Sequence, residues 1–195
     1  MISTVVREYK NRIIEGVCLD LVPLSASFSE DIAALRNREE NRYNLNQDYE
    51  LTKEMQDAWT EAYLDRDDDL YWCLVRKDGQ FLGTIRLYEI KEDEKTCRQG
   101  SFMVDKDYAA EGPYALEAII LTLDFAFEKL LCGLVYNDDR CDNKVMNNLS
   151  KKFGFSFVEE ISVKGVPYNL YSVAPDAYEK KREKIKPLID YWKER

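Results

Sequence analysis

The chain contains no histidine. That removes Ser-His-Asp and Cys-His catalysis, histidine-ligated zinc and the usual general base together. Its five cysteines (Cys18, Cys73, Cys97, Cys132 and Cys141) are scattered, with no C-x-x-C pair. The odd number and the spacing argue against a disulfide framework and a structural zinc site, so no metal is expected. No cysteine stands in an activating context, so covalent catalysis is not expected either. Chemistry must then run on carboxylates, hydroxyls, thiols, lysines and backbone dipoles. The one stretch with ligand-binding character is Val104 to Phe155. There a small-residue loop, Ala109-Ala110-Glu111-Gly112, runs into a long apolar helix. Backbone amides at such a helix start can receive a phosphate.

Composition bounds the partners. A formal charge of −9 argues against nucleic acid, whose phosphates need a basic face, and leans towards a cationic substrate such as an amine. No apolar run reaches the roughly 18 residues of a membrane helix and no basic and apolar leader opens the chain, so a cytoplasmic location without membrane contact is expected. At 195 residues the simplest organisation is one domain over 1–195, with residues 175–195 as a C-terminal helical tail. The tail's Tyr178, Ile185, Leu188, Ile189, Tyr191 and Trp192 can pack on the body or on a second copy, which makes a homodimer possible. Pro187 is expected to break it.

The elements that must position the chemistry follow from periodicity and punctuation. Residues 1–16 allow a short helix or an added edge strand, and Val17 to Leu24 alternates as a strand. Ser27-Phe28-Ser29-Glu30 has capping-box spacing before an apolar helix. Arg36 to Glu50 is polar and dense in Asn, Arg and Tyr. Thr52 caps a second helix with Met55, Trp59, Ala62 and Tyr63 on one face. Leu70–Arg76 and Phe81–Ile90 flank Asp78-Gly79, a hairpin signal, and Thr96–Val104 completes a meander. Pro113 sits where a missing N–H costs least, opening the apolar helix. A strand over 131–137 and a helix over 143–152, burying Val145, Leu149 and Phe153, come next. A hairpin turned at Lys164-Gly165 closes the body.

This order resembles the GNAT (general control N-acetyltransferase) superfamily, in particular its ribosomal-protein N-terminal acetyltransferase-like branch. Asn143 stands eleven positions before Gly154-Phe155, as in that branch. Glu117-Ala118, Leu35-Arg36-Asn37 and Gly83 also take the branch's places. The likeness spans roughly 17–173. It implies an α/β (α+β) fold with a mixed central sheet of about seven strands, splayed at its centre and flanked by helices.

The resemblance implies transfer of acetyl from acetyl-coenzyme A to a primary amine of a small molecule, an amino sugar or a protein N-terminus. Cofactor contacts would fall on Phe102, Met103 and Val104 through their backbone, on Glu111, Gly112, Tyr114 and Ala115 at the loop, and on Asn143. The loop departs from the family pattern: Ala110 replaces a Gln or Arg, Pro113 a glycine, and Glu111 adds negative charge. Ser150 takes the place where many relatives carry the tyrosine that faces the thiolate, with an exposed helix serine as the alternative. Glu89 is the candidate base, Asp105 a second. Arg36, Asn37, Arg42 and Tyr43 would lie over the acceptor. The competing class is a non-catalytic binding module that lost its coenzyme loop.

Overall fold

The continuous apolar run from Leu70 to Val75 needs a sheet covered on both faces, and the chain builds one. The computed structural model describes residues 2–194. In order the elements are α1 (Ile2–Tyr9), β1 (Ile14–Glu15), β2 (Leu19–Pro23), α2 (Ser29–Asn37), α3 (Glu39–Asn44), α4 (Lys53–Leu64), β3 (Leu70–Arg76), β4 (Phe81–Lys91) and β5 (Thr96–Val104). Then come α5 (Tyr114–Glu128), β6 (Leu134–Arg140), α6 (Lys144–Lys152), β7 (Ser156–Val163), β8 (Val166–Val173) and α7 (Pro175–Asp190). One eight-stranded sheet runs β1-β2-β3-β4-β5-β6-β8-β7, antiparallel except for β5 and β6. The count exceeds the expected seven because two residues of the N-terminal segment pair with β2.

β3 shows the layering. Leu70, Trp72 and Leu74 join the large core with Ala118, Leu123 and Ala126 of α5. Tyr71 and Cys73, on the other face, join Ile32 of α2 and Tyr63 of α4 in a second cluster. A strand apolar on both sides has to lie between two layers.

The polar segment after Asn37, to which the sequence assigns no element, holds a further helix, α3. Three sequence expectations are corrected. On α4 the buried residues are Gln56, Thr60 and Tyr63, whereas Met55 is exposed, because its stripe borders a cavity instead of the core. On α6 Val145 is 77% exposed while Asn147 and Ser150 are buried. And α7 runs through Pro187 to Asp190, held by buried Ile185 and Ile189 on either side of the proline.

The tail packs on its own body. Asp124 of α5 accepts from the Tyr178 hydroxyl at 2.6 Å and from both arms of Arg182 at 2.7 and 2.8 Å. Another polar residue of α5, Glu117, is buried and accepts from the backbone N–H groups of Val17, Cys18 and Leu19. Burial raises its pKa, and those three N–H groups oppose the rise. The otherwise apolar α5 thus fixes the sheet's first strands and the tail.

Candidate active site

The centre of the sheet opens. β5 and β6 pair only from Thr96–Leu134 to Arg98–Tyr136, so Gln99 to Val104 have no partner on β6. On its other side β5 is irregular too: its register with β4 passes from Gly100 to Met103, and Ser101 takes a positive φ of 47°. The Ser101 carbonyl accepts from the Thr84 hydroxyl at 2.7 Å. Gly83 allows this approach, since a Cβ there would run into the Met103 carbonyl oxygen. A bulge at this point bends β5 away from β6.

A cleft of about 100 Å³ results, lined by Gly100, Ser101 and Phe102 on one wall and Asn137, Asp138, Asp139 and Asn143 on the other. A second cavity, of about 300 Å³, lies under α2 and α4, lined by Arg36, Tyr49, Trp59, Tyr71, Arg86 and again Ser101. Ser101 therefore borders both spaces.

The far wall of the cleft is a buried polar network. Asn137 (7% exposed) donates to Ser150 Oγ at 2.8 Å, and Ser150 Oγ donates to Asp139 Oδ2 at 2.6 Å. Burial pushes the Asp139 carboxyl up to about 6, although the Ser150 hydroxyl lowers it. Asn137 Oδ1 is buried with no hydrogen-bond partner. An orphaned acceptor of this kind costs about 1–3 kcal/mol until a donor reaches it. Asn143 caps α6, accepting from Met146 N at 3.1 Å, and donates to Asn44 Oδ1 at 3.1 Å.

At the other end, α5 starts at Tyr114 without a side-chain cap, so its first N–H groups are left for another acceptor. Gly112 lies against the Tyr114 ring, where a Cβ would sit 2.7 Å from it, and Tyr114 itself is buried in the core. Ala115 is in the helix's first turn. A basic side chain reaches the loop from outside it. Arg76, from the end of β3, donates to Glu111 Oε2 at 2.6 Å and stacks near Tyr108. Nothing local in the sequence marks it, because the contact spans 35 residues.

The other expected residues divide. Phe102 lines the cleft; Met103 and Val104 pair with Thr84 and Gly83 on β4. Arg36 lines the larger cavity, but Asn37 is spent on Leu51, bonding its C=O at 2.7 Å and its N–H at 2.8 Å. Arg42 lines neither space. Tyr43 is exposed, donates to Asp142 at 2.6 Å and lies under the Arg140 guanidinium. Glu89 is 52% exposed in its side chain, 4.0 Å from Arg98, and borders neither cavity. Asp105 is held by both arms of Arg38 at 2.6 and 2.8 Å. Asp139, in the cleft, was not singled out from sequence; nothing there distinguishes it from its neighbour Asp138.

The comparisons agree with this geometry. The model of the acetyltransferase (GNAT) domain matches residues 19–156, and the chain belongs to that family. A solved structure described as an apo nucleotide-linked sugar GNAT superposes with a TM-score of 0.77 at 19% identity, over 92% of this chain and 99% of that one. A GCN5-related N-acetyltransferase from Brucella melitensis gives 0.75 at 21% identity, over 91% and 85%. Spermidine N-acetyltransferase from Vibrio cholerae, in complex with CoA and spermine, gives 0.75 at 15% identity, over 84% and 99%. At these identities the likeness speaks for the fold. No curated protein matches in sequence. Among the described residues no helix is long and apolar enough to cross a membrane, and no three metal-ligating side chains are grouped.

Proposed function

We propose that the chain is an N-acetyltransferase that moves acetyl from acetyl-coenzyme A to a primary amine. The observation that carries this reading is Ser101, which borders both the splayed cleft and the larger cavity. The thioester would lie in the cleft and the amine in the cavity, meeting at the bulge. The residues present fit the coenzyme. Free backbone groups of Gly100 to Val104 would pair with pantetheine amides, and the orphaned Asn137 Oδ1 would accept one of their N–H groups. The open start of α5, with Gly112 and Arg76, would take the pyrophosphate.

Acetyl-coenzyme A supplies the activated acyl group; this chain's residues orient it and move a proton. As the C–N bond forms and the C–S bond breaks, one proton must leave nitrogen and one must reach sulfur. Asp139 is the group in the cleft whose pKa, about 6, suits both transfers. Ser150, behind it, acts as a positioning residue through its 2.6 Å hydrogen bond. Holding the two reactants together would contribute much of the rate.

The Arg76–Glu111 pair favours one competing reading, a binding module whose loop is closed by its own carboxylate. Isothermal titration with acetyl-coenzyme A separates the two. A dissociation constant well below about 1 mM, roughly −4 kcal/mol, is expected. Binding no tighter than that would sink the enzyme reading.

A further inference from the structure

The larger cavity has a charge that the chain as a whole does not predict. With Asp and Glu outnumbering Lys and Arg by 37 to 28, a guanidinium has acids to spare around it. Nearly all use them. Arg7, Arg12, Arg38, Arg66, Arg76, Arg86, Arg98, Arg140 and Arg182 each form an ion pair. Among the described residues Arg36 and Arg42 form none, and Arg36 is the one that lines the cavity.

Arg36 is anchored by a neutral group. Its Nε donates to Gln47 Oε1 at 3.1 Å, and Gln47 in turn holds Asn37 and the Tyr49 carbonyl. This fixes the guanidinium's stem without offsetting its charge. The second guanidinium, Arg86, differs. Fully buried Asp69 accepts from its Nε at 2.8 Å and from its Nη2, and the plane lies over Trp59 and Tyr88 at 5.2 and 4.8 Å. Arg86 with Asp69 is close to neutral; Arg36 leaves the cavity one positive charge. No carboxylate is among the cavity's lining residues. The rest of the wall is aromatic and apolar: Tyr49, Leu51, Met55, Trp59 and Tyr71.

We propose that the acceptor is an amine that also carries a phosphate group, bound by the free arms of Arg36, with a ring seated on the aromatic wall. A guanidinium fork suits the paired oxygens of a phosphate. A polyamine fits poorly: a second cation near Arg36 would be repelled and would find no lining carboxylate. This local sign overrides the lean towards a cationic substrate drawn from the net charge. The proposal rests on reading this cavity as the acceptor site.

The test is isothermal titration of the full chain, saturated with coenzyme A so that the coenzyme's own phosphate sites are filled. Uridine diphosphate, inorganic pyrophosphate and spermidine are the probes. Uridine diphosphate is expected to bind, at least tenfold more tightly than pyrophosphate if the ring is used. Arg36→Ala should weaken it tenfold or more, Arg36→Lys should recover part of the loss, and added salt should weaken the parent. Acetyl-coenzyme A should titrate unchanged into Arg36→Ala, which shows that the variant is folded. Spermidine binding in place of uridine diphosphate would overturn the proposal. So would uridine diphosphate affinity indifferent to Arg36, and equal affinity for pyrophosphate would remove the ring. Failure of acetyl-coenzyme A to bind, with uridine diphosphate titrated into the free chain still dependent on Arg36, would remove the transferase reading and leave the anion site standing.

Discussion

Asp139 is the residue on which acid–base chemistry and stability meet. Its carboxyl, 6% exposed, titrates near 6 instead of the ordinary 3.8. The folded chain therefore holds this proton more tightly than the unfolded chain does. Between about pH 4 and pH 6 stability falls as pH rises, and above that window the ionised, buried carboxylate costs up to about 3 kcal/mol. Asp139→Asn keeps an acceptor for the Ser150 hydroxyl and removes the charge. Urea unfolding should show the variant more stable than the parent at pH 7.5 and equal to it near pH 3.5, while its acetyl transfer at pH 7.5 falls. Parallel curves across that range would mean that Asp139 is not the buried titrating group.

The loop makes a second residue-scale prediction, with two opposite signs. Arg76 is shared between Asp78 and Glu111, at 2.8 and 2.6 Å. If pyrophosphate replaces Glu111 on it, Arg76→Ala should weaken acetyl-coenzyme A about tenfold, in keeping with a charged hydrogen bond. Glu111→Gln should tighten it by freeing the guanidinium. Loss of affinity in both variants would mean that Glu111 contributes to the ligand site and does not compete for it. From sequence Glu111 read as a cofactor contact that adds negative charge; its pairing with Arg76 was not legible, because that cation lies on another strand.

Among the elements, α7 and α6 show what periodicity can and cannot reveal. Leu188 and Ile189 are neighbours of equal apolar character in the tail, yet Leu188 is 50% exposed and Ile189 3%. Ile189→Ala should cost about 2–5 kcal/mol in urea unfolding, and Leu188→Ala less than about 0.5. Similar costs would mean that α7 does not dock on α5 as described. That the tail is helical was legible; which face it buries was not, because that depends on Asp124 catching Tyr178 and Arg182 from α5. On α6 the apolar spacing placed Phe153 in the core and Leu149 against it, but it put Val145 inside, where the structure buries Asn147 and Ser150 instead. That side of α6 faces the cleft wall, where Asn147 and Ser150 bond to Asn169, Tyr171, Asn137 and Asp139. Local patterning fails at such places because a binding site buries polar groups for its own ends. The strand meander and the Asp-Gly hairpin were legible because each is a local signal that the fold leaves unopposed.

At the scale of the molecule, two layers of helices hold a sheet whose centre cannot close. α5 braces β2 through Glu117 and the tail through Asp124, to one side of the opening. Across it, α3 is tied to β5's end by Arg38 and Asp105 and to the β6–α6 corner by Tyr43 and Asp142. The family's order of elements made the splay foreseeable. The bulge at Ser101 that joins the two cavities was not, since it arises from register against β4. On the proposed function, the opening between β5 and β6 holds the coenzyme. A crystal structure of the chain with acetyl-coenzyme A would show whether it does. The pantetheine should lie between Gly100–Val104 and Asn137–Arg140, an amide N–H on Asn137 Oδ1, the acetyl carbon beside Ser101, and the pyrophosphate on Gly112 and Arg76 in place of Glu111. A coenzyme bound elsewhere, with Asn137 Oδ1 still unpartnered, would contradict it.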